Sequence, residues 1–81
     1  MPEARVLEKL QPIFRDVFDR PGLQVTPDDS AYTVEGWDSL MQVNLISAIE
    51  QDFGIRFRLG ETDGLKNIGE MIELIVRKLP K

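Results

Sequence analysis

Apolar side chains recur at steps of three and four residues in three separate stretches of this 81-residue chain, and that spacing favours helices over strands. The stretches cover residues 3–19, residues 39–53 and the segment from Asn67 to just before Pro80. A chain of this length, 42% hydrophobic, buries one small core. The sequence therefore predicts a single all-α domain over residues 1–81, folded as a bundle of three to four helices.

The apolar stripes of these helices are the predicted core. Pro12 lies within the first stretch, and because an interior Pro removes a backbone hydrogen bond we expect a kink or a break near Lys9. The stripes are Val6, Leu7, Leu10, Phe14, Val17 and Phe18, then Leu45, Ile46, Ile49 and Phe53, then Ile68, Met71, Ile72, Ile75 and Leu79.

The connections between the helices differ in length. Residues 23–37 form a long loop rich in turn formers, with a capped turn at 26–29, and a loop of this length is usually either functional or packed by its own apolar residues. The second connection begins at Gly54, a typical residue after a helix end, and a short helical turn is expected at 61–65. Asn67 with Glu70 is predicted to cap the last helix. The loop residues expected to pack inward are Leu23, Val25, Tyr32 and Val34, while Ile55, Phe57 and Leu59 alternate in an extended segment.

The composition excludes several classes of function. Without Cys or His, the chain has no disulfide, no thiolate or imidazole metal site and no Ser-His-Asp triad. The net charge of −4 argues against nucleic acid, which requires a basic face. Asp28, Asp29 and Glu35 lack the EF-hand order of ligands, so no metal site is expected. With no membrane-length apolar run and no signal peptide, we expect a complete, free-standing, cytoplasmic and monomeric protein without membrane insertion.

A candidate functional residue stands in the run Gly36-Trp37-Asp38-Ser39-Leu40, directly before the second helix. Asp38 is a favoured N-cap residue, which places Ser39 in the first turn with its hydroxyl toward solvent. A nucleophilic Ser needs a general base, and no His or neighbouring Lys supplies one. Glycines two residues before and after the Ser, as in a hydrolase elbow, are also absent. Ser39 is therefore interpreted as a residue that is modified by another enzyme.

The tripeptide Asp38-Ser39-Leu40, with the loop before it and the helix after it, resembles the attachment site of acyl and peptidyl carrier proteins. The resemblance spans nearly the whole chain. It implies that the Ser39 hydroxyl carries 4′-phosphopantetheine from coenzyme A and that the protein is a carrier, not an enzyme. It also implies that Asp38 lies beside Mg²⁺ during the transfer. Leu40 is expected to anchor the helix start in the core.

The same resemblance suggests the partners. They would be a phosphopantetheinyl transferase, an acyl-loading ligase or acyltransferase, and a ketosynthase or other acyl-processing enzymes. Trp37 is expected either to fold over the bundle or to lie beside the arm and contact partners, the first being favoured. The predicted partner face comprises Trp37, Met41, Gln42, Asn44, Ser47 and Glu50.

This face departs from the pattern of typical fatty-acid carriers, which place several acidic residues on it. Here only Glu50 is charged. The departure favours an acyl carrier with the WDSL-type motif of specialised lipid, polyketide or related pathways, whose cargo is an acyl or aminoacyl thioester. Two alternatives are a non-covalent acidic helical adaptor that is never modified and an enzyme subunit completed by another chain.

Overall fold

Three α-helices form the described part of the chain. The computed structural model describes residues 2–58 and 60–79. Helix α1 spans Glu3–Val17, α2 spans Ser39–Phe53 and α3 spans Ile68–Lys78, and α1 packs against both of the others. No strand occurs within the described residues, and none of their helices is long and apolar enough to cross a bilayer. The predicted all-α bundle is confirmed.

Helix α1 continues through Pro12, so a break near Lys9 is wrong, and of the two expected outcomes the kink stays a prediction. Pro12 is exposed, so the carbonyl that loses its helical partner can turn to solvent. Phe14 beyond it is fully buried and ties the second half of the helix to the core. The helix ends at Val17, two residues earlier than expected. There Asp19 adopts a left-handed conformation with φ 53°, typical of a Schellman motif.

The core lies where α1 faces α2 and α3, and it contains no polar or charged residue among those described. Most of the predicted stripe is buried, while Leu7, Val17, Ile46 and Leu79 are only partly buried at its edge. The buried set comprises Val6, Leu10, Ile13, Phe14, Phe18, Val25, Val34, Leu45, Ile49, Phe53, Ile55, Ile68, Met71, Ile72 and Ile75.

The side chain of Gln11 in α1 attaches the long loop by hydrogen bonds to the loop backbone. Gln11 donates to the carbonyl of Val25 at 2.8 Å and accepts from its N–H at 2.9 Å. Val25 and Val34 are buried as predicted. The prediction for Tyr32 is wrong, since its side chain is 99% exposed. Tyr32 lies in a turn closed by its own hydrogen bonds, in which Ser30 Oγ accepts from the Tyr32 N–H, and Val34 enters the core instead.

The predicted capped turn at residues 26–29 is present, and the structure shows that Asp29 caps it. One carboxylate oxygen of Asp29 accepts from the Thr26 N–H at 2.8 Å, and the other accepts from the Thr33 hydroxyl at 2.9 Å. The backbone hydrogen bond from Thr26, supported by the Thr33 hydroxyl, lowers the pKa of Asp29 below its ordinary value. At the start of α3, Asn67 Oδ1 accepts from the Glu70 N–H at 2.9 Å, which confirms the predicted cap.

The second connection, residues 54–67, contains no helix in its described part. Gly54 has φ 67° and ends α2 as predicted. Beyond it the chain makes turns at residues 60–64 where a helical turn was expected. Glu61 fixes this segment to α3 by a 2.6 Å salt bridge with Lys78, and that hydrogen bond lowers the pKa of Glu61. The prediction for Leu59 lies outside the described residues.

Candidate functional site

The first residue of α2 is Ser39, and its side chain is exposed. Asp38 caps the helix: its Oδ1 accepts from the Met41 N–H at 2.9 Å, and its backbone carbonyl accepts from the Gln42 N–H at 2.9 Å. The cap uses one carboxylate oxygen, and no described donor bonds to the other. The predicted cap and the exposed position of Ser39 are both confirmed.

The segment that leads into Ser39 is held at three points. Val34 is buried, and its carbonyl accepts from the Trp37 N–H at 3.3 Å. Gly36 turns the chain with φ 89°, a conformation that favours glycine. Arg20, just after α1, donates from Nη2 to the carbonyl of Glu35 at 2.7 Å. The sequence did not indicate this role for Arg20, because nothing in the pattern pairs residues 20 and 35.

Trp37 is partly buried and packs against α1. Its ring meets Phe14 edge-on at 5.4 Å between centroids and Phe18 at 6.1 Å. The indole N–H donates to Gln42 Oε1 at 2.6 Å. The favoured prediction, that Trp37 folds over the bundle, is therefore confirmed. The same side chain also borders the groove described below.

The prediction that Leu40 anchors the helix start in the core is wrong. Its side chain is 69% exposed, and that of Val43 is 64% exposed. Met41 packs against the core one residue later, and Leu45 is fully buried one turn after it. Because successive residues of a helix are about 100° apart, a core-facing Met41 turns Leu40 outward.

The residues of the predicted partner face differ in exposure, and their contact with partners stays a prediction. Met41 packs against the core, Gln42 is engaged by Trp37, and Glu50 accepts a hydrogen bond from the Phe57 N–H at 2.8 Å. Asn44 and Ser47 are exposed, whereas the other predicted residues of this helix are half-buried. Two apolar side chains that the prediction had left out complete this surface. We call it the neutral face, and it consists of Leu40, Val43, Asn44 and Ser47.

An open groove runs beside α2 and is bordered by Ser39. Its other walls are the tip of the long loop around Tyr32 and the second connection around Phe57 and Leu65. Gln42 and Ile46 contribute from α2 itself. The exposed hydroxyl thus stands next to a partly apolar channel along the helix.

The start of α2 also offers hydrogen-bond donors to an anion. None of the described residues accepts from the backbone N–H groups of Ser39 and Leu40. The amino end of a helix carries a partial positive charge, so a phosphate ester on the Ser39 hydroxyl would find both donors and a favourable field. No described Lys or Arg side chain is hydrogen-bonded to Ser39, so none of these basic groups is placed to activate the hydroxyl.

Comparison with known proteins identifies the family. The sequence model of the phosphopantetheine attachment site family matches residues 8–75. An acyl carrier protein from Thermosynechococcus vestitus is 30% identical over 98% of this chain and 98% of its own length. The chain belongs to the acyl carrier protein family. This carrier is also 27% identical to the acyl carrier protein of Saccharopolyspora erythraea over 91% of the chain and 78% of that protein.

A solved structure agrees with this assignment. The solution NMR structure of a holo acyl carrier protein from Geobacter metallireducens is 43% identical to this carrier and superposes with a TM-score of 0.81. The match covers 89% of this chain and 83% of that one. The carrier bears a 4′-phosphopantetheine group and is not an enzyme, as the sequence predicted. The exposed hydroxyl, free N–H donors and adjacent groove at the start of α2 fit such a group.

Proposed function

We propose that Ser39 is the residue that bears 4′-phosphopantetheine and that the chain delivers acyl or aminoacyl thioesters to partner enzymes. The observation that carries this proposal is the exposed Ser39 hydroxyl at the first position of α2, beside backbone N–H groups without a described acceptor. Other serines lack this setting. Ser47 lies in the middle of α2, and the Ser30 hydroxyl is engaged within its own turn.

The attachment step follows from this geometry. Ser39 Oγ attacks the phosphorus of coenzyme A that is nearer to the pantetheine, which forms a Ser–O–P bond and breaks the diphosphate linkage. Adenosine 3′,5′-bisphosphate leaves with the electron pair of the broken bond. The Ser39 proton passes to a base of the transferase, because no side chain in the described part of the chain is hydrogen-bonded to the hydroxyl. The free carboxylate oxygen of Asp38 suits a ligand of the Mg²⁺ that accompanies the diphosphate.

Once attached, the group supplies a terminal thiol that holds the acyl cargo as a thioester. The chain contributes position and recognition. Its Asp38 cap keeps the start of α2 fixed, so the cargo is presented from a rigid point. Tethering raises the local concentration of cargo at a docked enzyme to about the millimolar range.

The neutral face next to Ser39 supports partners of a specialised pathway. Leu40 and Val43 offer apolar contacts, and Asn44 and Ser47 offer neutral polar ones, where a basic enzyme surface would require carboxylates. We therefore assign the carrier to a lipid, polyketide or related biosynthetic system. Its partners there are a transferase, a loading ligase or acyltransferase, and a ketosynthase or similar enzyme in the cytoplasm.

Modification in vitro tests the proposal. The purified chain is incubated with coenzyme A, Mg²⁺ and a broad-specificity phosphopantetheinyl transferase, and its intact mass is then measured. We expect one added phosphopantetheinyl group on the wild type and on Ser47→Ala, and none on Ser39→Ala. Ser47→Ala is the matched control because it removes an exposed hydroxyl from the same helix. A wild type that stays unmodified while a control carrier is converted would favour the non-covalent adaptor.

A further inference from the structure

The side-chain amide of Gln42 is held in one orientation by Trp37. An indole N–H is only a donor, so the Gln42 atom that faces it at 2.6 Å must be the carbonyl oxygen, Oε1. The indole itself cannot swing away easily, because its ring is packed edge-on against Phe14 and Phe18. The amide NH₂ group of Gln42 must therefore point away from Trp37.

That NH₂ group carries two N–H donors. No described residue accepts a hydrogen bond from Gln42 Nε2, whereas the oxygen of the same amide is used. Every side-chain nitrogen or oxygen that is fully buried among the described residues has a partner. Nε2 is therefore not sealed in the core, although the residue is half-buried, and Gln42 lines the groove that Ser39 borders.

The spacing along α2 brings this donor close to the attachment point. Residues three apart in a helix lie on the same face, so Gln42 follows Ser39 directly along the groove. A pantetheine arm contains amide carbonyl groups, which are good acceptors for an amide NH₂. A half-buried donor next to an apolar wall gains more from such a partner than an exposed one does.

We propose that Gln42, oriented by Trp37, donates a hydrogen bond from Nε2 to an amide carbonyl of the arm on Ser39 and so lays the arm along the groove. This inference rests on the proposed attachment at Ser39. Gln42 is a positioning residue in this role: it acts on where the arm lies and takes no part in the chemistry at the thiol. Trp37 acts through Gln42, by fixing which end of the amide faces the groove.

NMR spectra of the apo and holo forms test the inference, after mass measurement has shown that Ser39 carries the group. The side-chain NH₂ protons of Gln42 should shift on conversion to the holo form by more than those of Gln51, an exposed Gln on the same helix. Absence of modification would overturn the attachment proposal. Modification without a shift at Gln42 would overturn only the present inference.

A variant provides the second arm of the test. Gln42→Glu keeps an oxygen acceptor for the Trp37 indole but has no NH₂ donor. With an isotope-labelled arm, the holo variant should lose the nuclear Overhauser contacts between the arm and the groove, while its indole signal stays near the wild-type position. Gln51→Glu introduces the same charge on the same helix and should retain those contacts. Arm contacts that survive in Gln42→Glu would contradict the inference.

Discussion

The backbone N–H of Gly69, in the first turn of α3, donates to the carbonyl of Pro27 in the long loop at 2.9 Å. The neighbouring Ile68 N–H donates to the Asp29 carbonyl, also at 2.9 Å. The first N–H groups of a helix have no partner within it, so the loop satisfies two donors that would otherwise face solvent. The same contacts fix the path of the loop that leads to Ser39.

A side chain at position 69 would disturb this contact. A Cβ there would lie 3.3 Å from the Pro27 carbonyl oxygen and 3.2 Å from Asn67 Oδ1, and both oxygens accept hydrogen bonds at the helix start. We expect Gly69→Ala to lower the free energy of unfolding by about 1 kcal/mol, because crowding outweighs the better helix propensity of Ala. Urea denaturation measures the change. Gly64→Ala is the control. A Cβ added at Gly64 would meet no other group within 4 Å, so the free energy of unfolding should change little.

The cap at Ser39 is predicted to have two separable roles. Asp38→Ala should lower the free energy of unfolding by about 0.5–2 kcal/mol, because the Met41 N–H loses its acceptor. It should also slow phosphopantetheinylation by more than that loss explains, if the free oxygen of Asp38 helps to place Mg²⁺. Asp38→Asn keeps the cap but removes the charge. Modification of Asp38→Asn at the wild-type rate would disprove the metal-placing role.

Acid should weaken the loop through Asp29. The folded state lowers the pKa of Asp29, chiefly through the hydrogen bond from the Thr26 N–H, so the unfolded chain binds this proton more readily. The stabilisation is therefore complete above the ordinary value of 3.8 and is lost as the pH falls through the lowered folded pKa. Asp29→Asn should lower stability at neutral pH, and its difference from the wild type should shrink as the pH falls below 3.8 and through the lowered folded pKa.

Denaturation at a series of pH values measures this difference. Asp28→Asn is a suitable control, because it removes the same charge from an exposed neighbour that makes no described side-chain hydrogen bond. A constant gap between wild type and Asp29→Asn over the acid range would show that the carboxylate charge is not what holds the turn.

The helices and their ends were largely predictable because their causes are local. The Asp38 and Asn67 caps and the Gly54 terminus depend on the residues themselves and on neighbours within one turn. The end of α1 was harder to predict from the sequence. Asp19 adopts the left-handed conformation there, although glycine is the usual residue for it and Gly22 lies nearby. Only the folded backbone shows which residue adopts this conformation.

The side-chain environment of the site was harder to predict, because it depends on contacts distant in sequence. Leu40 was assigned to the core since it is apolar, but Met41 occupies that place. Glu50 was placed on the exposed side of the second helix, yet it is half-buried and accepts a hydrogen bond from the Phe57 N–H. The chemical type of a residue indicates whether it prefers the core or the solvent. Which of the candidate residues is buried is decided by the packing of α1 on α2.

The neutral face should set the rate and the salt dependence of docking. Exposed carboxylates on a carrier accelerate its encounter with a basic enzyme surface, and that gain is screened by salt. This carrier presents Leu40, Val43, Asn44 and Ser47 there instead. Holo protein charged with an acyl group should therefore be turned over slowly by a fatty-acid ketosynthase, with little dependence on ionic strength.

Adding carboxylates to this face tests the explanation. Asn44→Glu with Ser47→Glu should raise kcat/KM with that ketosynthase by roughly tenfold at low salt, since electrostatic steering gains at least that much, and the gain should fade at high salt. Both positions are exposed, so the core remains intact, as it would not with a charge at the packed Met41. The control, Ala4→Glu with Gln24→Glu, changes the net charge equally away from α2 and should have little effect. A wild type that already matches a fatty-acid carrier in rate and salt dependence would show that the neutral face does not mark a specialised partner.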